Sequence, residues 1–213
     1  GFAEVGADVV LADINLPGAE QTADDIDSIG RRALAVRCNV SEIEQVRSLY
    51  QTIDSEFGRI DIVGNVAGEG LMGRPEELPV ETLQEVMQNL VVGRFTSCQE
   101  AGRRMLAQGK GSIINFGSIG GWNSLGRGHT PYGMAMGAGI QMTRELSTEW
   151  ASRGVRVNAI LPAQVWNDGL RKRIASTPEL EDTFKGGIPM GRLGNPEEIK
   201  GPAIFLASDA SSF

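Results

Sequence analysis

Two side chains between Ser112 and Ser152, in the stretch SIINFGSIGGWNSLGRGHTPYGMAMGAGIQMTRELSTEWAS, can do chemistry together: the hydroxyl of Ser118 and the phenol of Tyr132. Each donates and accepts hydrogen bonds. Ile113 and Ile114 continue an apolar run bounded by Gly111 and Gly117, the pattern of a strand buried on both faces. After Pro131, residues Tyr132, Met136, Ile140 and Thr143 recur at helical spacing, and no proline interrupts them before Val155. Ser118 therefore ends a strand, and Tyr132 sits in the first turn of the next helix. The two can face each other across one pocket at the carboxyl end of a sheet, where open α/β folds bind ligands. His129, the only histidine, has the chemistry of a general base. The plainer reading makes it a loop residue at the pocket mouth, where Trp122, Arg127 and Trp166 are further candidates.

The rest of the chain alternates strand and helix. Phe2 to Val5 reads as the last turn of a helix closed by Gly6, Val9 to Ala12 as a short buried strand ending at Asp13, and Pro17 to Gly30 as a helix with a glycine stop. Ala33 to Val36 is the next strand, ending at Cys38-Asn39-Val40, and Ser41 with Glu44 fits a capping box opening a helix to about Phe57. Asp61 to Val63 leads into Asn65-Val66-Ala67-Gly68, a strand running out into a glycine-bearing loop. A long helix from Val80 to Leu106 precedes the Ser118–Tyr132 segment. A strand from Val155 to Leu161, a loop at Pro162 and helices near Leu170 and from Pro196 to Ala207 follow it. This alternation predicts an α/β fold: one domain over residues 1–213, a Rossmann-like doubly wound parallel sheet with helices on both faces.

Composition narrows the function. With 213 residues and 41% hydrophobic content the chain can bury one sizeable core. A net charge of −7 and the lack of a basic run argue against nucleic acid and membrane surfaces as partners. Cys38 and Cys98 have neither metal-ligand spacing nor the density of a disulfide scaffold, so they read as small buried hydrophobes and no metal site is expected. No apolar run approaches the ~18 residues of a membrane helix. A cytoplasmic protein is the expectation.

The strand ends carry residues able to meet a nucleotide. Asp13 stands where an acid bonds the ribose hydroxyls of NAD in a dinucleotide fold; its charge would repel the extra phosphate of NADP, and Ile14 offers no compensating cation. A solvated turn aspartate is the alternative. Gly68 allows close backbone approach or an ordinary turn. Asn89 is a poor choice for a helix interior on propensity alone.

In this order, these residues resemble the short-chain dehydrogenase/reductase family over nearly the whole chain. Strand–Ser118–loop–Tyr132 is similar to its catalytic segment, Asn39-Val40 to its adenine-contacting Asp-Val, and Asn65-Val66-Ala67-Gly68 to its Asn-Asn-Ala-Gly. Asn89 falls on its Asn-Leu site, which orders a water leading to the catalytic centre. Pro162 to Asn167, with Val165 between them, resembles the loop that grips the nicotinamide end, and Ile188 to Glu198 a structural turn feeding a helix.

The resemblance implies an NAD-preferring oxidoreductase that moves hydride between nicotinamide and a secondary alcohol or ketone. Tyr132 would exchange the hydroxyl proton, Ser118 would hydrogen-bond the substrate oxygen, and Asn89 would complete the catalytic set. Asp13, Asn39, Val40, Asn65, Ala67, Gly68, Tyr132, Pro162, Val165 and Asn167 would hold the cofactor. Sugars and polyols are the expected substrate type, and a homodimer or homotetramer the expected assembly. The small residues Gly133, Ala135, Gly137, Ala138 and Gly139 allow close helix approach.

Two departures follow. The family's Tyr is trailed four residues later by a Lys whose charge favours phenolate; here that position holds Met136, which supplies neither charge nor donor. A penalty of ~2 pH units corresponds to ~2.7 kcal/mol, or roughly a hundredfold in reactive phenolate, so a slow enzyme or a non-catalytic nucleotide-binding or oligomer-building relative is expected. The family's glycine-rich phosphate loop, first strand and last strand also have no counterpart here. The expectation is a chain truncated at both ends, with the absent first strand falling between the strands that end at Asp13 and Asn65.

Overall fold

The computed structural model describes residues 1–68 and 70–213. Five strands alternate with helices: β1 (Val9–Asp13), α1 (Leu16–Ser28), β2 (Ala33–Arg37), α2 (Ile43–Phe57), β3 (Ile62–Asn65), α3 (Val80–Met87), α4 (Arg94–Gln108), β4 (Gly111–Phe116), α5 (Thr130–Trp150), β5 (Val155–Ile160), α6 (Asp168–Ser176), α7 (Glu179–Gly186) and α8 (Glu197–Ala207). All pairings between these strands are parallel. β1 pairs with β2, and β3, β4 and β5 pair in that order. The fold is the expected Rossmann-like α/β domain. Its strands fall into two ladders, and among the described residues β1 and β3 do not pair.

One core serves both ladders. Ile113, Val155 and Val157 project alternately from their strands onto Cys98, Ala101 and Met105 of α4, and Val46, Tyr50 and Ile53 of α2 join them. Val10 and Ala12 of β1 pack against the same cluster. On the opposite face Ser112 Oγ and Arg156 each donate to the Leu206 carbonyl, at 2.8 and 2.7 Å, and so tie α8 across β4 and β5. β4 is buried along nearly its whole length, as its apolar run predicts; β1 is only half-buried, because its sheet has two strands.

Several local expectations change. The helix expected from Val80 to Leu106 is continuous but contains a π turn, Gln88–Gly93, between α3 and α4. The Ser41–Glu44 capping box does not form. Asn39 Oδ1 instead accepts the Ser41 amide at 3.0 Å, Gln45 Oε1 reaches back to the Asn39 amide at 2.8 Å, and Glu44 pairs with Arg47. The earlier turn claims the amide that the box needs. α7 fills the stretch between α6 and the turn at Ile188, where no helix was expected. The small residues of α5 also have an internal use. Gly133 and Gly137 lie under the carbonyls of Gly120 and Gly121, where an added Cβ would stand 3.2 and 3.5 Å from those oxygens.

Candidate functional site

β4 ends at Phe116, and Ser118 caps the single 3₁₀ turn Ile119–Gly121 that follows, its Oγ accepting the Gly120 amide at 3.0 Å. That turn rests directly on α5. A Cβ on Gly121 would lie 2.5 Å from the Met136 carbonyl carbon and 2.7 Å from the Gly137 amide, so only glycine allows the contact. Tyr132 stands in the first turn of α5, behind Pro131. Gly70 closes over its ring, with no room for a Cβ, and the Gly73 amide donates to the Gly128 carbonyl, just ahead of α5, at 3.0 Å. The His129 ring meets that of Tyr132 edge-on at 6.3 Å between centroids.

Ser118 and Tyr132 line one open cleft of about 460 Å³. Val66, Gly68, Leu90, Arg94, Met136 and the loop carrying Pro162, Val165, Trp166 and Asn167 line it too. That loop is fixed from both sides. The Ile119 amide donates to the Pro162 carbonyl at 3.2 Å, and Val165 bridges Gly194. Asn167 spends its side chain on the helix it opens: Oδ1 accepts the Leu170 amide at 2.8 Å, and Nδ2 donates to the Val165 carbonyl at 3.2 Å. Behind the turn at Gly194, the Arg192 guanidinium and the Asn195 amide hold the Glu198 carboxyl down at about 2.

The remaining sequence candidates lie at other places. Asp13 is exposed at the end of β1, with Oδ1 accepting the Asn15 amide at 2.9 Å. Val40 passes so close to Gly93 that a Cβ there would be 2.1 Å from the Val40 carbonyl oxygen, and Gln88 Nε2 donates to the next carbonyl, that of Ser41, at 2.9 Å. Ala67 is exposed in the loop leaving β3. Gly68, at φ +133°, lies against Leu90 and Asn89; its missing Cβ would meet Asn89 Oδ1 at 2.7 Å. Asn89 lines a neighbouring cleft of about 580 Å³ with Ser41 and Gln88, not the one that holds Ser118 and Tyr132. Its buried Oδ1 has no partner among the described residues.

Asn65 turns inward into a polar network. Its Nδ2 donates to Asn115 Oδ1 at 2.9 Å, and its Oδ1 accepts Ser97 Oγ at 2.7 Å. Asn115 in turn donates to Thr143 Oγ1 at 2.9 Å, and Ser97 meets the Tyr50 hydroxyl at 2.8 Å. Burial pushes the Cys98 thiol beside this network up to about 12. Arg94 is the residue that the sequence reading missed. Leu90, Arg94, Cys98, Ala101 and Met105 recur at helical spacing and are all buried, so the signal was a charge standing on an apolar stripe. Among the described residues no cluster of His, Cys, Asp or Glu is arranged for a metal, and no helix is long and apolar enough to cross a membrane.

A serine at a strand end facing a helix-borne tyrosine, in a parallel α/β domain, defines a class, and comparison with known proteins bears on it. Residues 1–213 match the family model described as enoyl-(acyl carrier protein) reductase. A D-threitol dehydrogenase of Mycolicibacterium smegmatis is 34% identical over 99% of this chain and 80% of its own length. An NAD-dependent glycerol dehydrogenase of Listeria innocua is 35% identical over 99% and 81%. A gluconate 5-dehydrogenase from Burkholderia cenocepacia, solved with NADP and tartrate, superposes with a TM-score of 0.91 at 30% identity, covering 99% of this chain and 82% of that one. The chain belongs to the short-chain dehydrogenase/reductase family of oxidoreductases.

Proposed function

We propose that this domain is an NAD-preferring dehydrogenase or reductase acting on a secondary alcohol or ketone of polyol or sugar type. The observation that carries this reading is Ser118 and Tyr132 on the walls of one cleft beyond the end of β4. The cofactor assignment is tested by the strand ends. Asp13 leaves one carboxylate oxygen without a bond among the described residues, which suits a ribose diol and disfavours an added phosphate. Gly68 and Gly93 present backbone without side chains. These residues fit a dinucleotide. Asp13, Asn39, Val40, Ala67, Gly68, Pro162, Val165 and Asn167 would hold it; Asn65 would act from behind, by fixing the end of β3.

When bound, the nicotinamide supplies the hydride acceptor or donor. The chain's own part is acid–base work on an oxygen. Ser118 Oγ already accepts from the Gly120 amide, so its proton is free to be donated to a substrate oxygen. Tyr132 exchanges the carbinol proton, which is worth ~10²–10⁴-fold in rate for a positioned group. Pro162, Val165 and Trp166 give the same cleft an apolar wall. The relatives' polyol substrates support the substrate class, and the catalytic role of Asn89 requires a water bridge from its neighbouring cleft.

A second reading is favoured by Met136, which lines the cleft without charge: a nucleotide-binding relative that no longer turns over. One experiment separates the two. NADH is titrated while Trp fluorescence is followed, and turnover is then measured over a panel of polyols and sugars for the wild type, Met136→Lys and Tyr132→Phe. Saturable binding with turnover that Tyr132→Phe reduces at least ~100-fold is expected. Binding without turnover in the wild type, gained in Met136→Lys, selects the second reading. No binding and no turnover in any variant rejects both.

A further inference from the structure

Arg94 opens α4 at 5% exposure. Its Nε and one terminal nitrogen find no hydrogen-bond partner among the described residues. A guanidinium keeps its proton in proteins, and a buried charge without a partner is costly, so this one stands ready for a counter-charge. The facing helix makes room for it: a Cβ added to Gly139 would lie 3.1 Å from an Arg94 terminal nitrogen. Arg94 directly follows the π turn, a distortion that often accompanies functional sites. Arg94, Tyr132 and Met136 line the same cleft, and Arg94 carries the one formal charge among its described lining residues. Two groups placed near it can lose a proton: Cys98, one turn further along α4, and Tyr132, on the wall of the same cleft. Burial pushes the Cys98 thiol up to about 12, so it stays neutral and cannot serve. The phenol remains.

We propose that Arg94 supplies to Tyr132, from the neighbouring helix, the positive charge that Met136 withholds. This rests on the reading of Tyr132 as the proton-exchanging group. Arg94 acts through Tyr132 and is a positioning residue. The groups facing the pair from other directions do not replace it. His129, at the start of α5, is held below its ordinary value chiefly by burial, so it is neutral where phenols ionise; Arg127 and Arg173 act on His129. Ser118 and Asn167, which line the same cleft, are neutral.

The test needs neither cofactor nor substrate. The chain has two tyrosines, and burial drives Tyr50 well above the ordinary phenol range. Alkaline phenolate absorbance at lower pH therefore reports Tyr132, and its loss in Tyr132→Phe identifies the band. The band is expected to develop about one pH unit or more later in Arg94→Gln than in the wild type, and to return in Arg94→Lys and in the double variant Arg94→Gln/Met136→Lys. Coincident bands in the wild type and Arg94→Gln overturn the proposal. Met136→Lys keeps the test decisive if Arg94→Gln does not fold: a downward shift of about two units on adding the ammonium means that no cation was serving Tyr132 before, and overturns it, whereas a shift under about half a unit supports it. An Arg94-dependent band without NADH binding would leave this inference standing and reject the oxidoreductase reading. Turnover with an Arg94-independent band does the reverse.

Discussion

Asn115 shows how single side chains set this site from behind. Its amide spans β3, α4 and α5 by bonding half-buried Asn65 and buried Cys98 and Thr143. Replacing it with alanine removes the oxygen acceptor of the Asn65 amide and one of the two bonds of the Thr143 hydroxyl, which keeps the Gly139 carbonyl, at a cost of ~1–3 kcal/mol, and leaves a small cavity. Asn115→Ala is expected to lose about 2–4 kcal/mol in a urea titration, with a clear drop in midpoint; a loss under about 1 kcal/mol would show that the network is relaxed by water. Residue types made part of the site legible in advance. Ser118 and Tyr132 stood out because a strand period of two and a helix period of 3.6 fix which end of an element a residue occupies. Arg94 stayed hidden because charges in helices are usually solvated, and only its coincidence with the Leu90–Met105 stripe marks it as buried. The inward turn of Asn65 depends on Asn115 and Ser97, which come from elsewhere in the chain.

Between elements, spacing is governed by backbone touching backbone. The turn Ile119–Gly121 lies on α5 at Gly133 and Gly137, and this contact fixes how far Ser118 stands from Tyr132. The two glycines on either side of it should respond differently. Gly121→Ala drives a methyl into the Met136–Gly137 peptide and should cost ~1–3 kcal/mol and most of the turnover, while NADH binding persists. Gly137→Ala meets only the Gly121 oxygen, at 3.5 Å, and gains helix propensity of up to ~1 kcal/mol, so its Tm should hold or rise. Equal effects of the two substitutions, measured by thermal unfolding and turnover, would sink the contact argument. Most elements could be placed from the sequence because glycine and proline punctuate them. The π turn could not, because one extra residue in a long helix leaves both flanking stretches helical in pattern. Nor could the actual start of α2, which the Asn39 turn decides.

Across the whole molecule, the division of the strands into two ladders sets a division in stability. β4 is hydrogen-bonded on both edges, buried along Gly111 to Asn115, and tied by the polar network to α4 and α5. Among the described residues β1 has one strand partner, and α1, which packs on it, buries two alanines. The consequence concerns time rather than shape. Amide protons of β4 should exchange with solvent deuterium only when the entire domain unfolds, whereas those of β1 and β2 should escape through smaller openings that leave the Ser118–Tyr132 cleft standing. Exchange followed at rising, sub-denaturing urea would show steep urea dependence for Ile113 and Ile114 and a shallow one for Val10 and Leu34. Equal slopes would mean that the domain opens as one cooperative unit. If the slopes differ as expected, the half that would hold the adenosine end of a dinucleotide is also the half that breathes, and ligand binding should slow exchange most in strands far from the reacting groups.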